Sequence, residues 1–125
     1  MNLGAAYDTL LALEQEAFHA GHFEVGYHAL EAAVHCAYGR RDPAGLAAVA
    51  RLAEGRRDWI DEYRPEHPLS TRHAAGHGGR GAFTALASMV HALLAALHAE
   101  GARMRASEMV LPRPEGWVGP MQGER

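Results

Sequence analysis

One stretch of the chain carries apolar side chains around most of its circumference: HFEVGYHALEAAVHCAY, residues 22–38. On a helix of 3.6 residues per turn, its main apolar face consists of four larger side chains and an alanine: Phe23, Tyr27, Leu30, Val34 and Ala37. The opposite side is also apolar but smaller: Val25, Ala29, Ala32 and Cys36. A helix that is apolar on two sides is usually the central helix of an array or part of a dimer interface.

Further helical segments flank this stretch on both sides. Glycines at positions 21 and 39 end the first two segments, and Asp42-Pro43 combines an N-cap residue with proline at the first helical position. Pro65 ends the third segment. We predict helices over these ranges: Leu3–Ala20, His22–Tyr38, Pro43–Tyr63, Ala82–Glu100 and, in a shorter piece, Ala102–Leu111.

The predicted fold class is all-α. β-Branched residues are scarce, and the connections at Gly21 and at residues 39–42 are short, so neighbouring helices are expected to be antiparallel. We expect an antiparallel array or bundle of four to five helices that forms one domain over residues 1–111. A loop is predicted for residues 64–81, with Ser70-Thr71 as the candidate helix cap. An extended C-terminal arm, rich in proline and glycine, is predicted for residues 112–125.

Composition restricts the classes of function. The chain has 125 residues, a net charge of -3 and a pI of about 6.3, which disfavours a nucleic-acid binder because such proteins carry a basic stripe. No run of consecutive residues approaches 18 apolar side chains, so we expect no membrane partner. The single cysteine, Cys36, is typical of a reducing compartment. We therefore expect a cytoplasmic protein.

The first two predicted helices carry a resemblance to one tetratricopeptide-type helical hairpin. The residues that carry it lie between Leu10 and Val34: Leu10, Leu13, Ala17, Gly21, Phe23, Gly26, Leu30 and Ala33. In that motif small residues permit close helix packing, and glycine with an aromatic residue two positions later marks the turn. Glu14 and Tyr38 depart from the pattern, which has a small residue and proline at these places. The resemblance covers about a quarter of the chain and implies a protein-binding surface.

The leading functional hypothesis is a small, non-catalytic helical protein-interaction module. We expect a homodimer, an unidentified protein partner and no cofactor. Cys36 neighbours His35, but adjacent residues of a helix point about 100° apart, so the sequence gives little support to a nucleophile–base pair. The sequence does not decide whether the protein is an enzyme, and it favours a protein without catalytic activity. The expected interaction surface combines the small side of residues 22–38 with the arm: Val25, Ala29, Ala32, Cys36 and Trp117. The alternative partner-facing surface is the fourth predicted helix, Ala82–Glu100.

The alternative hypothesis is a metal- or small-ligand-binding helical bundle that could be an enzyme. Residues 22–38 also carry a polar stripe, which consists of Glu24, His28, Glu31 and His35. Their spacings of four, three and four residues place these side chains on one helical face. Helix bundles complete metal sites with ligands from facing helices. Glu14 lies within the apolar face of the first helix, where a carboxylate is either buried with a partner or at a pocket mouth. The candidate ligands for zinc, iron or manganese are Glu14, His28, Glu31, His35 and His91.

Two charge patterns complete the sequence-based hypotheses. Protonation of all nine histidines would move the net charge from -3 to +6, so a pH-dependent switch is a third hypothesis. On the third predicted helix, Arg56 and Arg57 lie near the buried edge, and Asp61 is four residues beyond Arg57, at ion-pair spacing.

Overall fold

The fold is all-α, as predicted, in a computed structural model that describes residues 1–109 and 115–116. Five helices follow one another: α1 (Leu3–His19), α2 (Phe23–Gly39), α3 (Pro43–Tyr63), α4 (Thr71–Gly76) and α5 (Ala82–Glu108). No strand occurs within the described ranges. The predicted C-terminal arm lies outside these residues except for a turn at Glu115 and Gly116.

Side-chain caps fix the starts of three helices. The Asn2 carboxamide accepts from the Ala5 N–H, the Asp42 carboxylate from the Gly45 N–H, and the Ser70 hydroxyl from the His73 N–H, each at 3.0 Å. These bonds satisfy backbone donors that lack a partner in the first turn of a helix. The predicted caps at Asp42 and Ser70 are therefore confirmed.

Two predicted boundaries were wrong. The predicted loop of residues 64–81 contains the short helix α4, which begins directly after the Ser70 cap. The two C-terminal segments are one helix, because α5 continues through Gly101 to Glu108. A glycine inside a helix costs about 1 kcal/mol relative to alanine, and the alanine, arginine and methionine residues around Gly101 favour helix enough to continue it.

α1 and α2 form a closely packed pair that runs in opposite directions. Leu3, at the start of α1, contacts Gly39 at the end of α2, and Glu14 lies beside Gly26 near the start of α2. A Cβ atom at Gly26 would lie 3.5 Å from the Glu14 carbonyl oxygen. That is an ordinary van der Waals distance, so the two helices lie close together at Gly26 and still leave room for a methyl group there.

α3 and α5 form a second helical pair, and α2 lies between the two pairs. Arg41, just before α3, pairs with Glu100 at 3.3 Å, and Glu54 approaches His91 at 3.6 Å, so α3 and α5 also run in opposite directions. α2 contacts α1, α3 and α5. Its fully buried residues are Leu30, Ala33, Val34 and Ala37. Of the two positions that the sequence left open for this helix, the structure shows contacts on the side of the central one, and a role in a dimer interface stays a prediction.

A buried hydrogen bond links α1 to the start of α3. The Tyr7 hydroxyl donates to the Gly45 carbonyl oxygen at 2.8 Å. Burial, and secondarily the negative charge of Asp42, raise the pKa of Tyr7 above its usual value. The phenol therefore keeps its proton and remains a donor at neutral pH.

Candidate functional site

A buried ion pair connects α1 with the middle of α3. Arg56 donates from Nε to Glu14 Oε2 at 2.7 Å and from Nη2 to Oε1 at 2.9 Å. The Glu14 side chain is fully buried, whereas 17% of the Arg56 side chain is exposed. The guanidinium carbon also lies 4.2 Å from the centroid of the Phe18 ring. Two such hydrogen bonds fix the plane of the guanidinium group. Of the two environments predicted for Glu14, the structure shows burial with a partner.

The structure does not bring the five candidate metal ligands together. His28 Nδ1 lies 3.0 Å from Glu31 Oε1 on an exposed part of α2, and His35 is exposed. His91 approaches Glu54 rather than any of the other candidates. Within the described residues, no group of three or more His, Cys, Asp or Glu side chains could hold an ion. A metal ligand role for Glu14 would require its bonds to Arg56 to break, so metal binding stays a prediction.

The residues of the predicted interaction surface have different environments. Ala29 and Cys36 are buried, on the same side of α2 as Gly26, so this part of α2 packs against α1. Val25 is 50% exposed and Ala32 is half-buried. Trp117 lies outside the described residues. Of the predicted surface on α2, solvent therefore reaches mainly Val25 and part of Ala32.

An uncovered apolar helix face lies on α5 instead. Four large residues of α5 are buried in the core: Phe83, Leu86, Val90 and Leu97. Its solvent side carries small residues at spacings of three and four, which we call the α5 stripe: Ala85, Ser88, Ala92, Ala95 and Ala99. This spacing keeps the side chains in one line along the helix. All five residues are exposed.

α5 is more apolar than we expected from the sequence, where no apolar stretch looked long enough to span a membrane. An 18-residue window of this helix has a mean hydropathy of 1.6, and 28% of the window is buried. By length and composition alone, α5 could therefore cross a membrane. Single Ser and His residues interrupt the run of consecutive apolar residues in α5. They lower the mean hydropathy of the helix only slightly.

The fourth predicted helix was the alternative partner-facing surface, but the small residues that form the α5 stripe were not singled out in the prediction. The large residues of this helix predict a core face, and Ala85, Ala92 and Ala99 recur every seven residues on the opposite side. A heptad repeat of small residues on the solvent side of a helix is visible without a structure. What the sequence does not show is that no other part of the described chain covers this side.

Over residues 1–109, these features define an all-α domain with two packed helical pairs and an uncovered apolar helix face on α5. No protein-family model matches the chain, and comparison with curated proteins and with solved structures found no significant match.

Proposed function

We propose that this protein is a non-catalytic helical interaction module that forms a homodimer through the α5 stripe. The observation that carries the proposal is the apolar window of α5, with a mean hydropathy of 1.6 and only 28% of it buried. Large uncovered apolar surfaces mark interaction sites in folded proteins, because burying them removes apolar area from water.

The chemistry of the α5 stripe favours a second copy of the chain as its occupant. From Ala82 to Ala99 the helix contains no Asp, Glu, Lys or Arg, so a partner rich in charge would meet no complementary group there. Small side chains in a heptad repeat allow two helices to pack at short distance along their length. The same stripe on a second copy has matching size and polarity, and a two-fold axis pairs a surface with itself.

The tetratricopeptide-like surface of α1 and α2 belongs to the same proposal. The close approach of the two helices at Gly26 and the exposed Val25 side chain support a role of this pair in binding a further protein. A cytoplasmic location is likewise proposed, on the basis of the single cysteine.

Replacing Ala95 by glutamate is expected to convert the dimer to a monomer. A carboxylate in the middle of an apolar helix contact loses its hydration without gaining a partner, and we expect the dimer dissociation constant to rise at least about 100-fold. Sedimentation equilibrium measures this change. The matched control is Ala12→Glu, which places the same charge on an exposed alanine of α1 and should leave the dimer unchanged.

Results of two kinds, on association and on lipid binding, would overturn the proposal. One is a wild-type chain that stays monomeric at about 0.1 mM, where even a weak dimer is populated, or an Ala95→Glu variant that dimerises as well as the wild type. The other is flotation of the wild type, but not of Ala95→Glu, with neutral phosphatidylcholine vesicles. In that case the α5 stripe contacts lipid rather than a second chain.

A further inference from the structure

A cavity of about 370 Å³ opens at the end of the domain where α1 turns into α2. The end of α1, the start of α2 and the second half of α3 enclose it. It lies far along the chain from the α5 stripe and shares none of its residues. A cavity of this size can hold a small organic molecule.

Three aromatic side chains form one wall of this cavity. The Phe18 and Phe23 rings have centroids 4.7 Å apart, and Trp59 meets both rings edge-on, at 5.3 and 5.8 Å. Trp59 is still 38% exposed, so part of the indole is open to a ligand. Mutual packing of the three rings fixes this wall before any ligand arrives.

Two arginines provide the positive charge of the cavity. Arg56 is held in place by both oxygens of Glu14, and its Nη1 atom is not used in that pair. The Arg64 guanidinium carbon lies 5.8 Å from the Trp59 ring centroid, and Arg64 Nη1 donates to the Tyr63 carbonyl oxygen at 2.8 Å. A guanidinium group beside an aromatic face is suited to a planar anion.

Over residues 1–109, the arginines that line this cavity face no negatively charged side chain inside it. No Asp or Glu is among the described residues that line it, and Glu14 lies fully buried behind Arg56. Because Glu14 neutralises one guanidinium, Arg64 supplies an uncompensated positive charge at the rim. An anion that enters therefore meets donors and no opposing carboxylate.

We propose that this cavity binds a small aromatic carboxylate. The aromatic ring of the ligand packs against Trp59 and the two phenylalanine rings, and its carboxylate accepts hydrogen bonds from Arg64 and from the exposed part of Arg56. This binding activity goes beyond self-association and does not depend on it. The preformed wall and the fixed Arg56 guanidinium reduce the ordering that binding requires.

Titration calorimetry with 2-naphthoate and its neutral analogue 2-naphthamide tests the proposal. We expect the carboxylate to bind with a dissociation constant of about 1 mM or tighter and the amide to bind about 10- to 100-fold more weakly. Arg64→Met should weaken naphthoate binding by a similar factor. The matched control is Arg72→Met, because Arg72 is an exposed arginine on α4 outside the cavity.

A second measurement locates the ligand without relying on affinity. In ¹⁵N–¹H spectra, naphthoate should shift the indole N–H signal of Trp59, which the Trp59→Phe variant assigns. Equal binding of acid and amide, equal effects of the Arg64 and Arg72 substitutions, or an unmoved Trp59 signal at saturating naphthoate would each overturn the proposal.

Discussion

Replacement of Arg56 by methionine is expected to lower the free energy of unfolding by about 3–5 kcal/mol. The variant leaves the Glu14 carboxylate fully buried without the two hydrogen bonds that now satisfy it. An unpaired buried charge costs far more than the pair contributes over an apolar equivalent. Urea denaturation followed by far-UV circular dichroism measures the loss, and part of the population should unfold if the wild type has ordinary stability.

Two comparison variants separate this effect from a general loss of arginine. Arg57→Met removes the neighbouring ion pair with Asp58, whose carboxylate side chain is 71% exposed, and should cost less than about 1 kcal/mol. The double variant Glu14→Leu with Arg56→Met removes both charges and should recover most of the lost stability. A double variant as unstable as Arg56→Met alone would show that packing around Arg56, rather than the stranded charge, causes the loss.

Replacement of Phe83 by alanine is expected to cost about 3–5 kcal/mol. Phe83 lies in the first turn of α5 and is 1% exposed, and its ring meets Tyr27 of α2 edge-on at a centroid distance of 5.4 Å. Truncation leaves a cavity where α5 contacts the central helix, and the aromatic contact adds to the loss. The same denaturation experiment measures the change.

The conservative variant Phe83→Leu is the matched control for this prediction. It keeps most of the apolar volume and should cost less than about 1.5 kcal/mol. Phe83 lies on the core side of α5, so neither variant should change the dimer dissociation constant at equal folded fraction. A cost below 1 kcal/mol for Phe83→Ala would contradict the observed packing of α5 on α2.

The helices could be predicted from local signals, and the wrong break in α5 came from reading glycine alone as a stop. Gly21 does end α1, with a left-handed backbone at φ 84°, but after α2 the left-handed residue is Arg41, at φ 52°, rather than Gly39. Gly101 stays helical. Caps such as Asp42 were reliable because a cap needs only residues three apart, whereas a glycine ends a helix only if tertiary packing redirects the chain there.

The candidate site was less predictable because it depends on which helices face one another. The sequence placed Glu14 on a buried face and Arg56 near a buried edge, yet it did not pair them, since they lie 42 positions apart and on different helices. The sequence also suggested an ion pair between Arg57 and Asp61. In the structure Asp61 accepts from the backbone N–H and the hydroxyl of Thr71, and Arg57 pairs with Asp58. Helical periodicity identifies a buried position but not its neighbour.

The position of the single cysteine gives the chain a built-in reporter of local motion. Cys36 is a buried free thiol at the bottom of an open hollow lined by the first turns of α1, including Asn2, Ala5 and Thr9. A bulky thiol reagent reaches the sulfur when this end of α1 moves away from α2. Because no second thiol competes, the labelling rate of the native protein reports how often α1 opens locally, separately from global unfolding.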